Sequence, residues 1–275
     1  MGSLYKLITK TNLKSPVIAF PLVFPLILLL MYSVMIGDNI KTAPEVDTAV
    51  MVMFITAISL TTMQSGLMGF GFNFIKLKKS VMLRRIGATK LKKEEVLGAV
   101  MLYGLTIWLI SIVWLTIWAY IFSASGLFYS IQSDGGHITG HLKLQNLNWP
   151  MFLAGTISML MISYAIGLFF ASFAKDDSVF HAMTSTYFFT VGLIGGLMIP
   201  VAKPQWMIDA AYILPNAYPN ELFGLASGAI GIAGIPSSSS PFQLITQGKA
   251  IADFCVPVVL SVLIFIAAVK VLKFD

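Results

Sequence analysis

Long apolar runs, each closed by a short polar stretch, set the pattern of this chain. Residues 16–36, 48–75, 96–122, 150–173, 179–200 and 250–272 each hold an apolar core close to what a spanning helix needs. A helix rising about 1.5 Å per residue takes about 20 such residues to cross roughly 30 Å of hydrocarbon. The pattern predicts one all-α integral membrane domain over residues 1–275 with six transmembrane helices. The first run is too long for a signal peptide and ends without a small-x-small cleavage site, so it reads as a retained helix kinked by Pro21 and Pro25. Residues 201–249 break the rhythm. Pro204, Pro215, Pro219, Pro236 and Pro241 divide them, yet 222–235 is almost wholly apolar. That run is too short to span. It either dips in and returns as a re-entrant segment or covers the outer ends of other helices.

Composition agrees with a membrane setting: 57% of residues are hydrophobic and 11% charged, too few charges for a water-covered surface. The formal charge of +6 is distributed unevenly. Lys76, Lys78, Lys79, Arg84, Arg85, Lys90, Lys92 and Lys93 carry nearly half of the 18 Lys and Arg. Basic residues favour the cytoplasmic side, which places 76–95 and both ends of the sequence inside and leaves Lys41, Lys143, Lys203 and Lys249 outside. This orientation explains the charge without nucleic acid. The basic segment admits two readings. It is an orientation signal touching anionic headgroups, or, because Met82, Leu83 and Ile86 form an apolar stripe before Gly87, a short helix seated in a partner's groove. Lys6, Lys10 and Lys14 stand four apart opposite Leu4, Leu7, Ile8 and Leu13, fitting an amphipathic helix at the inner surface or a frayed opening.

Polar positions within the spans single out the second and fifth. Thr56, Ser59, Thr61, Thr62, Gln64, Ser65 and Asn73 lie in 48–75, with Gly66, Gly69 and Gly71 near its inner end. Such residues serve helix packing or line a transport path. In 179–200, Gly192 and Gly196 form a GxxxG pair that fits a subunit contact, a pore wall or both. Trp108, Trp114, Trp118 and Tyr120 fall toward the outer half of the third span, where Trp118 and Tyr120 mark the interface. His137 and His141 are four apart, but the surrounding Gly135, Gly136 and Gly140 disfavour a helix and no third ligand is near, so no metal site is expected. The lone Cys255 excludes an intrachain disulfide.

Two stretches carry a resemblance. SVMLRRIGATKLKKEEVLGAV is similar to the first cytoplasmic loop of the ABC type-2 exporter permeases, the membrane subunits of one branch of ATP-binding-cassette transporters. Leu83, Arg84, Ile86 and Thr89 fill that loop's first part, and Glu95, Leu97 and Gly98 its entry to the third helix; the family's proline is Lys90 here. GGLMIPVAKPQWMIDAAYILPNAYPNELFGLA resembles the family's exit from the fifth helix, with Gly196, Pro200, Pro204, Trp206, Leu214 and Pro215 in its places. Span order and loop sizes agree along the whole chain. The resemblance implies two paired permease subunits, identical or paralogous, in the plasma membrane. Each would engage a separate ATPase through a coupling helix formed by Leu83, Arg84, Arg85, Ile86, Gly87, Ala88 and Thr89. Substrate would pass between the subunits along Thr61, Gln64, Ser65, Ser185, Phe188, Phe189 and Gly192. Gly196, Pro200, Trp206, Leu214 and Pro215 would form the outer gate.

The 275 residues contain no G-x-x-x-x-G-K followed by Ser or Thr, hence no phosphate-cradling loop. ATP and Mg are therefore expected on the partner, with no cofactor and no catalysis on this chain. The apolar wall of the expected path favours a drug, hydrophobic peptide or lipid, since it offers a sugar nothing for its lost hydration. A lipid-linked glycan is the alternative cargo within the same family. An ion-driven carrier is the alternative class, and it calls for an ionisable residue near the membrane's middle. Asp253, close to the outer end of the last span, is the nearest.

Overall fold

The computed structural model describes residues 5–6, 8–10, 19–34, 43–79, 93–131, 137–194, 206, 210–228, 231–232 and 244–271. Within these, the chain is mostly helical. Helix α1 is Ala19–Val34, with Pro25 inside it. Helix α2, Ala43–Gln64, runs through a π turn, Ser65–Phe70, straight into α3, Gly71–Lys79. Helix α4 is Lys93–Ala124, α5 is Trp149–Phe173 and α6 is Asp177–Ile194. A short helix α7, Ala217–Ser227, precedes α8, Gln247–Val271. Strands β1 (Tyr129–Ile131) and β2 (His137–Thr139) form an antiparallel hairpin in which Ser130 faces Ile138. Strands β3 (Gly231–Ile232) and β4 (Leu244–Ile245) pair in parallel.

Helix boundaries follow local chemistry. Asn148 accepts from the Met151 amide and Pro150, in the first turn, has no donor to satisfy, so α5 starts there. Asp176 accepts from the Val179 amide at 2.8 Å and opens α6. Gly228, with φ 79°, takes the left-handed conformation that ends α7. Thr246 accepts from the Lys249 amide at 3.2 Å, so α8 begins at Gln247, three residues before the apolar pattern placed it. Helix α6 likewise starts at Asp177 rather than 179.

Among the described residues, four helical stretches are long and apolar enough to cross a membrane: Pro44–Leu77, Glu95–Ala124, Trp149–Phe173 and Gln247–Val271. Their burial differs sharply. In Pro44–Leu77, 72% of the most apolar stretch is enclosed by protein, against 17% in Gln247–Val271. The rod α2–π–α3 is thus the axis of the bundle, and α8 lies against α5 with most of its surface bare. The helix that reads as the more polar is the one the others surround, so its hydroxyls face protein instead of hydrocarbon. Thr61, Thr62 and Ser65 donate to the carbonyls of Ala57, Ile58 and Thr61 at 2.7, 2.8 and 2.8 Å, which satisfies them within the helix.

The two ends of the bundle are distinct. At one end, the Asp47 carboxylate accepts from the His141 amide and pairs with Lys143, both at 2.6 Å, fastening the segment after β2 to the start of α2. His137 sits in a strand and His141 beyond it, both exposed. At the other end, Ile8 is buried with Phe72, Ile75, Val96 and Ala174, while Lys6 and Lys10 are exposed. Tyr5 of the N-terminal stretch meets Thr106 at 2.9 Å, while Leu4, Leu7, Leu13 and Lys14 lie outside the described residues.

The described helical part of the proline-rich region lies along α5. Helix α7 runs antiparallel to α5: Asn216 reaches Ser163, Leu222 abuts Gly155, and the Asn148 amide donates to Ala226. Ser163 lies about 20 Å along α5 from its first residue at 1.5 Å per residue. The chain therefore stands midway down α5 at Asn216 and climbs back to its end at Ala226. The apolar run from 222 ends as helix at Ser227, because Gly228 turns the backbone.

Candidate functional site

The midpoint of the bundle holds a polar layer. Asn216, fully buried at 0% exposure, accepts from the Tyr187 hydroxyl at 2.5 Å. Its amide donates to Ser163 Oγ at 3.0 Å and to Met159 Sδ at 3.1 Å. One side chain thus ties α7 to both α5 and α6. Ser163 also meets α2: a Cβ built on Gly66 would fall 2.4 Å from the Ser163 Cβ, so glycine alone permits this approach. Trp108 donates to Thr62 at 3.0 Å. Trp108 thus belongs to this layer in the body of α4.

Gln64 immediately precedes the π turn. It is 0% exposed, and neither its amide oxygen nor its nitrogen has a partner. Ser59, Thr156 and Tyr164 also carry buried, unpartnered hydroxyls. A buried amide without partners costs about 1–3 kcal/mol, a cost that water or a hydrogen-bonding ligand would offset.

The structure brings together part of the expected path. Thr61, Gln64, Ser65, Phe188 and Gly192 are all buried, and Ser185 is half-buried. Phe188 lies in one apolar cluster with Met63, Leu67 and Val191 and meets Phe24 of α1 edge-on, with ring centroids 5.7 Å apart. Phe189 points outward, 45% exposed. Thr61 and Ser65 spend their hydroxyls on their own helix, so Gln64 is the fully buried member of the set with unused hydrogen-bonding capacity. Of the outer-gate residues, Trp206 is exposed, and Leu214 and Pro215 are half-buried in the turn that leads into Asn216. Gly196, Pro200 and the entire coupling stretch of Leu83, Arg84, Arg85, Ile86, Gly87, Ala88 and Thr89 lie outside the described residues.

Asn216, Ser163 and Tyr187 did not stand out in the sequence. Asn216 follows a Leu-Pro pair and reads as a surface turn ahead of a helix, and Ser163 is one small residue in an apolar run. A polar side chain next to a proline inside a mostly apolar, too-short segment was the available signal.

A second polar group lies where α7 meets α8. Lys249 pairs with Glu221 at 3.0 Å and donates to the Tyr212 hydroxyl at 2.7 Å. Beneath them, Asp253 is 1% exposed and faces both Glu221 and Lys249.

Four helical stretches able to cross a bilayer, packed around a central polar layer, define a multi-pass helical membrane protein. Compared with known proteins, the chain matches no family model, no curated protein and no solved structure.

Proposed function

We propose that this chain is the permease subunit of an ATP-binding-cassette exporter, moving a lipophilic or amphipathic substrate outward under the drive of a separate ATPase. In this reading α1 and α6 complete six spans, both ends of the sequence and residues 76–95 are cytoplasmic, and two subunits pair in the plasma membrane. The observation that carries the proposal is the central rod. Helix α2 is fixed at one end by the Asp47 clamp, passes through the polar layer, and continues as α3 directly into the most basic segment of the sequence. A push on that segment acts on the element that α1, α4, α5 and α6 pack around, which is how a partner's closure becomes a rigid-body switch. Arg84 and Arg85 meet carboxylates of the ATPase, and ATP and Mg bind there. Gln64 is the polar contact on an otherwise apolar route, consistent with a drug, hydrophobic peptide or lipid as cargo.

The test is copurification. The isolated chain hydrolyses no ATP, and the ATPase that copurifies with it is lost when Arg84, Arg85 and Ile86 are changed to Glu. Retained copurification removes the coupling role from these residues. The buried Asp253 favours the ion-driven carrier as a second reading. Gradient-driven transport without the ATPase, abolished by Asp253→Asn, selects that reading instead.

A further inference from the structure

We infer that the Ser65–Phe70 π turn is the hinge of the central rod and that Asn216 is the latch holding it in its present register. A π turn carries one residue more per turn than an α-helix, so its conversion to α rotates everything beyond it by about 100° and slides it about 1.5 Å. Here everything beyond it is α3 and the basic segment.

The present register is fixed by backbone contact. Gly66 lies against Ser163, and a Cβ on Gly167 would stand 2.9 Å from the Gly66 carbonyl oxygen and 3.0 Å from that of Leu67. A Cβ on Gly71 would meet Phe180 at 2.6 Å and the Gly167 carbonyl oxygen at 2.9 Å. Rotation of the rod would bring Leu67 or Met68 into these slots, so α5 has to withdraw before the turn converts. Withdrawal is opposed by Asn216, which grips Ser163 on the same face of α5 that Gly66 touches, leads into the helix α7 that also packs on α2, and is itself gripped by Tyr187. The turn therefore cannot change register while that three-residue knot is closed. Through it helix α7 controls the opposite end of the rod. The inference rests on helix packing and holds whether or not an ATPase is the partner.

Hydrogen–deuterium exchange on the full chain in lipid nanodiscs, with no ATPase present, tests it. Asn216→Ala and Ser163→Ala should raise exchange of the amides 65–71 about ten-fold or more, with 109–117 in α4 unchanged. Tyr187→Phe should give a smaller rise at the same amides. Unchanged exchange at 65–71 in Ser163→Ala, which keeps the helix packing, overturns the latch even where Asn216→Ala fails to fold. Equal rises in both stretches overturn it too, since they report general loosening. Loss of the exporter reading by copurification leaves this result untouched.

Discussion

Gly66 and Gly69 lie within one π turn and have opposite surroundings. A Cβ at Gly66 would collide with Ser163, while one at Gly69 would find nothing within 4 Å. Overpacking of a close helix crossing costs about 1–3 kcal/mol, whereas Gly to Ala in a helix gains up to about 1 kcal/mol. Gly66→Ala should therefore lower the melting temperature of the detergent-solubilised protein, and Gly69→Ala should leave it unchanged or raise it. Gln64 separates packing from transport by the same logic. Its amide is buried with no partner, so Gln64→Leu, close in volume, removes an uncompensated polar group and should stabilise by about 1 kcal/mol. If Gln64 touches cargo, transport into vesicles falls in that same variant. A stabilised protein with unaltered transport would assign the residue to the interior alone.

Among the elements, the segment after β2 is tied to α2 by Asp47 and by the packing of Gly140 on Val46 and Val50. An exposed ion pair contributes about 0–1 kcal/mol, but Asp47 also accepts the His141 amide, and its side chain is only 13% exposed. Asp47→Ala should release residues 137–143, read as faster protease cleavage there, while Lys143→Ala, which keeps the amide bond, should have a smaller effect. The positions of the long helices were legible in the sequence because apolar length is local, but the caps that set their ends, Asn148 at α5 and Gly228 at α7, did not stand out. The direction of α7 was not legible. It depends on contacts between Asn216 and Ser163, distant in sequence, and a short apolar run leaves both alternatives open until its partner is known. The polar side chains of α2 were visible, but the division between the self-satisfied hydroxyls of Thr61 and Thr62 and the unpartnered groups of Ser59 and Gln64 required the neighbouring helices. Similarly, Asp253 was legible as a carboxyl in a span, but its burial under Glu221 and Lys249 was not.

For the molecule as a whole, charge predicts the orientation. Asp47 with Lys143 and Glu221 with Lys249 neutralise one end in pairs, whereas the other end continues into the basic segment. With Cys255 replaced by Ser, Lys143→Cys should react with an impermeant maleimide on intact cells, and Lys79→Cys only after permeabilisation. The reverse pattern would turn the protein over and remove the proposed ATPase contact.

The uneven enclosure of the spans reaches beyond the fold. A side chain on α8 mostly answers to fluid acyl tails, which accept any apolar shape, while one on α2 answers to fixed neighbours on all sides. In a saturation library, Val, Leu, Ile and Phe should interchange silently at Val259, Leu263 and Ile266, whereas at Ile58 or Leu67 even a shift of one methyl group should register. Over generations, the first surface is free to drift and the second is not.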